Sequence, residues 1–212
     1  MKTGFVSIVG RPNVGKSTLL NSILERKIAI TSNVSGTTRN IIEGIYNDED
    51  SQIVFIDTPG IHKPVNKLGS VMNSKAYTML GEVDVVLFLL DVTKDFGKGD
   101  NFVLNKIKDT DKPVLLVLNK VDLIDKRKLL NIINKYKDLY DFKEIIPVSS
   151  LKGDNVLDLI NTIKKYLNEG EKYYTNEEVT NVTNGFYIAE IVREKLLWLT
   201  KSEVPHTVTC VM

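Results

Sequence analysis

The 212-residue sequence predicts an α/β fold: one doubly wound, mostly parallel sheet of six strands with helices on both faces. Three observations predict it. Short apolar runs alternate with longer amphipathic ones, the pattern of strand–helix units in a parallel sheet. Two of the runs, VVLFLL (Val85–Leu90) and VLLVLN (Val114–Asn119), are continuously apolar, as strands covered on both faces are. A glycine-rich loop, Gly10–Ser17, also sits between the first apolar run and the first amphipathic one.

Taken in order, FVSIV (Phe5–Val9) reads as a buried strand and Ser17–Arg26 as the helix after it. Ile41–Tyr46 and Gln52–Asp57 flank the polar turn NDEDS, which predicts an antiparallel hairpin. The two continuous apolar runs are central strands, and Ile145–Ser149 is a sixth strand. Helical patterns lie around Leu68–Leu80, Asp100–Lys108, Lys126–Lys137 and Val156–Leu167. The composition changes near Asn168. Residues 1–168 form the main domain, and the polar stretch 169–181 lacks apolar periodicity and reads as a linker. Beyond it, Phe186–Leu199 carries Ile188, Ile191, Val192, Leu196 and Leu199 on one helix face, before Pro205 and the short β-like TVTCVM. Trp198 and Tyr187, on or near a helix face, read as core, and Arg193, Lys195 and Lys201 read as a solvated face. Residues 182–212 are too few for a complete domain.

Bulk properties exclude several classes. Net charge is +1, so there is no global basic field for nucleic acid. A single cysteine, Cys210, rules out a disulfide within the chain and fits a reducing compartment. The longest apolar stretch, Val83–Val92, is broken by Asp84 and Asp91 and is too short to span a bilayer. These features predict a cytoplasmic protein.

The chemistry lies in loops that follow strands. Gly10-Arg11-Pro12-Asn13-Val14-Gly15-Lys16-Ser17 matches G-x-x-x-x-G-K-S between a strand and a helix. Glycines let backbone N–H groups turn toward phosphate oxygens, and the helix N-terminus adds favourable potential for the anion. Lys16 supplies charge to the β- and γ-phosphates, and the Ser17 hydroxyl can ligate Mg²⁺, with Thr18 continuing the cradle. Asp57-Thr58-Pro59-Gly60 ends a strand, where a carboxylate can hold the metal and the Gly60 N–H can reach the γ-phosphate. Asn119-Lys120-Val121-Asp122 closes the VLLVLN strand. Asp122 can accept two hydrogen bonds from guanine N1–H and its exocyclic amine, which adenine lacks. The Lys120 stem can lie along the base plane, and Asn119 can brace loops. Backbone N–H groups of Ser149, Ser150 and Leu151 can meet the guanine O6.

The ordered set GRPNVGKS, DTPG, NKVD and SSLK resembles the G1, G3, G4 and G5 boxes of translation-factor-class GTPases, and Gly36-Thr37-Thr38-Arg39 resembles their switch I box. GTTR together with DTPGIHKP (Asp57–Pro64) resembles the Era family, and the resemblance extends over essentially the whole chain. It implies a P-loop GTPase fold, GTP/GDP and Mg²⁺, with Lys16, Thr38 and Gly60 acting on the γ-phosphate. The metal set is Ser17, Thr38 and Asp57, Thr37 being the alternative to Thr38. Asn13 resembles the asparagine that holds K⁺ in potassium-activated relatives. The family resemblance further implies a monomeric switch in small-subunit (16S rRNA, 30S) assembly, with peripheral membrane association at the inner face.

Two departures matter. Ile61 stands where many small GTPases place a water-orienting glutamine, and it cannot hydrogen-bond water. That keeps open a GTP-gated binding module with negligible hydrolysis; another translation-factor-class GTPase is the second alternative. The tail NGFYIAEIVREKLLWLTKSEVPHTVT resembles the start of Era's KH domain, yet no G-x-x-G backbone clamp occurs after Asn168. The chain alone is therefore expected to bind RNA weakly or not at all. Neither His62 nor His206 is assigned a catalytic role.

Overall fold

The computed structural model describes residues 1–32, 36–64, 67–200 and 209–210. His206, Lys201 and most of TVTCVM lie outside them.

Six strands form the main path of the sheet: β1 (Lys2–Val9), β2 (Ile42–Asn47), β3 (Ser51–Asp57), β4 (Val85–Asp91), β5 (Val114–Asn119) and β6 (Glu144–Val148). Their order is β2-β3-β1-β4-β5-β6. Every pairing on this path is parallel except the β2–β3 hairpin. Side chains on a strand alternate between faces, so each apolar run feeds two cores. Val85, Leu87 and Leu89 join Leu115 and Val117 on one face, under α1 (Lys16–Ile23) and α5 (Val156–Lys164). Val86, Phe88 and Leu90 join Leu116 and Leu118 on the other. That face is covered by α2 (Lys67–Glu82), α3 (Lys98–Ile107) and α4 (Lys126–Tyr136). Both faces are thus dry, which is why the central runs carry no polar alternation.

Local chemistry fixes the ends. The hairpin turn closes where the Asp48 carboxylate accepts from Ser51 N–H at 2.8 Å. α4 starts at Asp125, whose side chain accepts from Lys128 N–H at 2.8 Å. α1 stops at Ile23 rather than Arg26 because Glu25 takes a left-handed conformation (φ 49°). The Asn21 side chain then clasps the returning chain at Ile28 and Ala29.

The segment expected to be a linker is docked on the sheet. Asn168–Glu169 forms a seventh, two-residue strand, β7, antiparallel to Lys2 and Thr3 of β1. The Gln52 side chain then grips the Tyr173 and Tyr174 amides and the Tyr174 carbonyl. The Phe5 and Tyr173 rings lie 4.7 Å apart, and Thr180 donates to the Glu43 carbonyl at 2.6 Å. The polar composition that reads as a linker is here spent on hydrogen bonds to the sheet margin.

The C-terminal helix α6 (Asn184–Thr200) also differs from its expected burial. Its buried residues are Ala189, Arg193, Glu194 and Leu197, while Ile188, Val192, Trp198 and Leu199 are exposed. The apolar stripe therefore points away from the sheet domain. Arg193, expected on a solvated face, is 2% exposed. Lys195 is exposed as expected, and Tyr187 is half-buried with its hydroxyl donating to the Lys27 carbonyl at 2.9 Å.

Candidate functional site

Parallel pairing sends the carboxyl ends of β1, β3, β4, β5 and β6 to one edge of the sheet. β1 lies at the point where the chain order reverses, with β3 on one side and β4 on the other. A crevice opens at such a reversal, and ligands of open α/β sheets bind there. The loop from β1 to α1 fills it, and the motif residues at the ends of β3, β5 and β6 surround it.

The loop residues from Gly10 to Thr18 divide by burial. Val14 points into the core and is buried, so only its backbone faces the crevice. Gly15 has φ +104°, and a Cβ there would run into the Asn119 amide. Lys16 is buried, and its ammonium donates to the carbonyls of Gly10 and Arg11 at 3.3 and 3.2 Å, which aims it along the inside of the loop. Gly60 packs so closely on Pro12 that a Cβ would stand 2.9 Å from its backbone. The Gly10 carbonyl accepts from Ile61 N–H at 3.1 Å. The β3 turn and the phosphate loop are therefore locked together.

Three oxygen donors from three segments converge beside Lys16. Ser17 Oγ donates to Asp57 Oδ2 at 2.6 Å and lies 3.0 Å from Thr38 Oγ1. Asp57 is fully buried, and its other oxygen, Oδ1, has no hydrogen-bond partner. A carboxylate and two hydroxyls are the hard ligands Mg²⁺ takes, and the partnerless Oδ1 leaves capacity for a cation or its water. The donor set fits Mg²⁺. Electrostatics agree: burial pushes the Asp57 carboxyl up to about 6 against the pull of Lys16 and the Ser17 hydrogen bond. Burial likewise lowers Lys16 to about 8 despite the attraction of Asp57. Thr37 is turned elsewhere, its hydroxyl 2.5 Å from Ser32 Oγ. Thr38 thus stands beside Ser17, and Thr37 beside Ser32. Thr58 is also turned away, its hydroxyl donating to the Ile8 carbonyl at 2.8 Å.

At the other end of the crevice, Asn119 ties the loops together. Its Nδ2 donates to the Val14 carbonyl at 2.8 Å, and its Oδ1 accepts from Ser150 N–H and Oγ at 3.0 and 2.8 Å. Lys120, in a left-handed conformation (φ 69°), donates to the Asn13 carbonyl at 3.0 Å and pairs with Asp91 at 2.7 Å. Asp122 is exposed, with Oδ1 accepting from Ser149 Oγ at 2.6 Å. This bond holds the carboxylate toward the cavity, which measures about 500 Å³ and is lined by Asn119, Lys120, Asp122, Ser150 and Leu151 among others.

Sequence reasoning missed four side chains. Asp91 holds Lys120, and its carboxyl sits below the usual range because Lys120 and Thr93 hydrogen-bond it more than burial opposes. An aspartate ending a buried apolar strand was a readable signal. Asn73 brackets the His62 backbone, accepting from its N–H at 3.4 Å and donating to its carbonyl at 2.6 Å. Arg193 donates to the Thr37 carbonyl at 2.7 Å, and Glu194 accepts from Thr31 N–H at 2.9 Å. No local pattern announces these long-range contacts. Ile61 is fully buried in the core cluster beneath α2, so its side chain packs there rather than facing the crevice.

A buried lysine in a G-x-x-x-x-G-K-S loop, an oxygen triad fit for Mg²⁺ and an N-K-x-D aspartate lining the adjoining cavity of this sheet are the marks of a P-loop GTPase. The profile of the 50S ribosome-binding GTPase family matches residues 5–120. Era in complex with MgGDPNP and nucleotides 1506–1542 of 16S ribosomal RNA is 44% identical, with a TM-score of 0.93 over 97% of this chain and 70% of that one. Aquifex aeolicus Era bound to GDP·AlF4⁻ is 43% identical, with a TM-score of 0.92 and the same coverage. The FeoB G-domain of Methanococcus jannaschii (24% identity, TM-score 0.57, 78% of this chain and 98% of that one) shares the fold. The chain belongs to the Era family of GTP-hydrolysing enzymes.

Proposed function

We propose that the chain is a GTP-driven switch acting in maturation and assembly of the small ribosomal subunit. The observation that carries this reading is the continuity from metal site to tail. Thr38 reaches Ser17 Oγ, and the carbonyl of the preceding Thr37 is held by buried Arg193 of α6. A segment that responds to the γ-phosphate is thus bonded to the helix that resembles the start of an RNA-binding domain. The relative crystallised with 16S rRNA nucleotides supports the target.

In this reading the amides of residues 13–18 cradle the phosphates and Lys16 neutralises β- and γ-oxygens. Ser17, Thr38 and Asp57 would hold Mg²⁺, which supplies charge stabilisation to the transferring phosphoryl group. Gly60 N–H donates to the γ-phosphate, Asp122 reads guanine, and the Ser149–Leu151 amides meet O6. Water attacks the γ-phosphorus in line, releasing GDP and phosphate. Because Ile61 is packed in the core, catalysis rests on positioning and charge. Exposed Asn13 beside the phosphates is the proposed K⁺ ligand.

The division into a G domain (1–168), a connecting segment (169–181) and the opening of a KH-like domain (182–212) belongs to the same proposal. The exposed stripe Ile188, Val192 and Leu199 is a face such a domain would cover. With no G-x-x-G after Asn168, the chain itself binds an rRNA 3′-end oligonucleotide weakly, and sub-micromolar affinity at physiological salt would contradict this. A cytoplasmic monomer is expected, peripherally associated with the membrane at most. No helix among the described residues is long and apolar enough to cross a membrane. Conditional depletion tests the assignment: immature 16S rRNA should accumulate, and normal processing would sink it.

A further inference from the structure

Trp198 is the chain's one tryptophan, and it is 53% exposed. It does not lie on the apolar core that its helix pattern predicts. It lines the same cavity as Asp122, Asn119 and Lys120, together with Thr31 and Ser32. Its placement there is anchored independently. Glu194, one helical turn earlier and therefore on the same side of α6, is 2% exposed and accepts from the Thr31 amide at 2.9 Å and from Lys27 Nζ at 2.5 Å. Leu197 beside it is buried. Glu194 thus fixes the last turns of α6 against the loop that follows α1, with Leu197 buried one residue before the indole. The indole is carried to the rim of the guanine-end cavity.

We propose that Trp198 is a nucleoside-binding residue whose indole closes the solvent side of the guanine–ribose pocket and slows nucleotide release. A half-exposed indole gains when a planar base or sugar edge covers it, because apolar area leaves water and aromatic contact is added. Leu123 and Leu151 line this end beside the polar Asn119, Lys120 and Asp122, and Trp198 is the one aromatic side chain among its described lining residues. It supplies a flat aromatic face that the aliphatic and polar walls lack. Its contact is indifferent to the exocyclic groups of the base, so it adds residence time without adding guanine selectivity, which stays with Asp122. The inference rests on the guanine site described above.

The test uses the 212-residue chain. Tryptophan emission should change on adding GDP with Mg²⁺, since the only indole reports from the pocket. Release of radiolabelled GDP into excess unlabelled GDP should be about 2- to 10-fold faster in Trp198→Ala, the range expected for one aromatic contact. Trp198→Phe should restore most of the difference, and GTP-over-ATP preference should be unchanged in both. Equal release rates for Trp198→Ala and the parent overturn the proposal whatever the emission does. So does an accelerated release that Trp198→Phe does not restore, because packing of α6 and not the aromatic face would then be responsible. If the parent chain fails to retain GDP at all, the guanine site itself is wrong, a different result from equal rates.

Discussion

The two ends of the nucleotide crevice are built on opposite principles. At the phosphate end Lys16 and Asp57 are buried, the free space is only about 60 Å³, and both ionisable groups are shifted toward neutrality by desolvation. At the guanine end Asp122 and Lys120 keep contact with solvent around a cavity of about 500 Å³, and order comes from hydrogen bonds between loops. The first end is a buried cation and a buried carboxyl, each the other's partner charge. Burial makes that partner costly to lose, since an uncompensated charge in a low dielectric is expensive. The second end is a pre-formed reader that needs little electrostatic help. In the proposed function the phosphate end governs affinity and chemistry, and the guanine end governs identity.

The comparison breaks first at Lys16. Lys16→Ala removes the buried cation and should weaken GDP and GTP binding by roughly 100- to 1,000-fold, about the worth of two charged hydrogen bonds. Equilibrium binding measures it, and near-normal affinity would show that the buried end does not govern. Next is Asp122→Asn, which should lower preference for GTP over xanthosine triphosphate by at least about 100-fold, since the amide still accepts from N1–H but sets a donor opposite guanine's exocyclic amine and toward xanthine's carbonyl. Total triphosphate affinity, read with xanthosine triphosphate, should fall little. Asn119→Ala should cost about 2–4 kcal/mol of folding stability in chemical denaturation, because the Val14 carbonyl and the Ser150 groups lose their buried partner together.

Smaller effects sharpen the electrostatic half. The Asp57 carboxyl titrates near 6 in the folded chain and near 3.8 unfolded. A raised pKa stabilises the fold below the unfolded value and loses that contribution as pH rises through the folded one. Metal-free protein should therefore lose on the order of 1–3 kcal/mol between pH 4 and 7 from this group. Asp57→Asn should flatten that slope, and GDP with Mg²⁺ should reverse it. An unchanged slope in Asp57→Asn would place the titration elsewhere. Lastly, replacing NaCl by KCl at matched ionic strength should raise GTP turnover about 10-fold if Asn13 helps to hold a K⁺ that stabilises developing charge. Equal rates would remove that role.

Legibility followed the range of the interactions. The four phosphate and base motifs were readable because each is contiguous and lies where a strand ends. The Lys120–Asp91 pair spans 29 positions and the Arg193–Thr37 contact spans 156, so no window of sequence contains both partners. The α6 face was misread for a related reason. Helical periodicity shows that a stripe exists but not what lies opposite it, and here a buried arginine and glutamate face the sheet domain while the apolar stripe faces out.

From chain order alone came the doubly wound sheet and the placing of the Gly10–Ser17, Asp57–Gly60 and Asn119–Asp122 loops at strand ends, because continuous apolar runs and strand-end motifs are local properties. Only the tertiary structure decided that Thr38 rather than Thr37 meets Ser17, that Ile61 is core, and that the polar segment and α6 dock on the domain. Those outcomes depend on which groups are desolvated together, and desolvation is set by three-dimensional neighbours that chain order does not name.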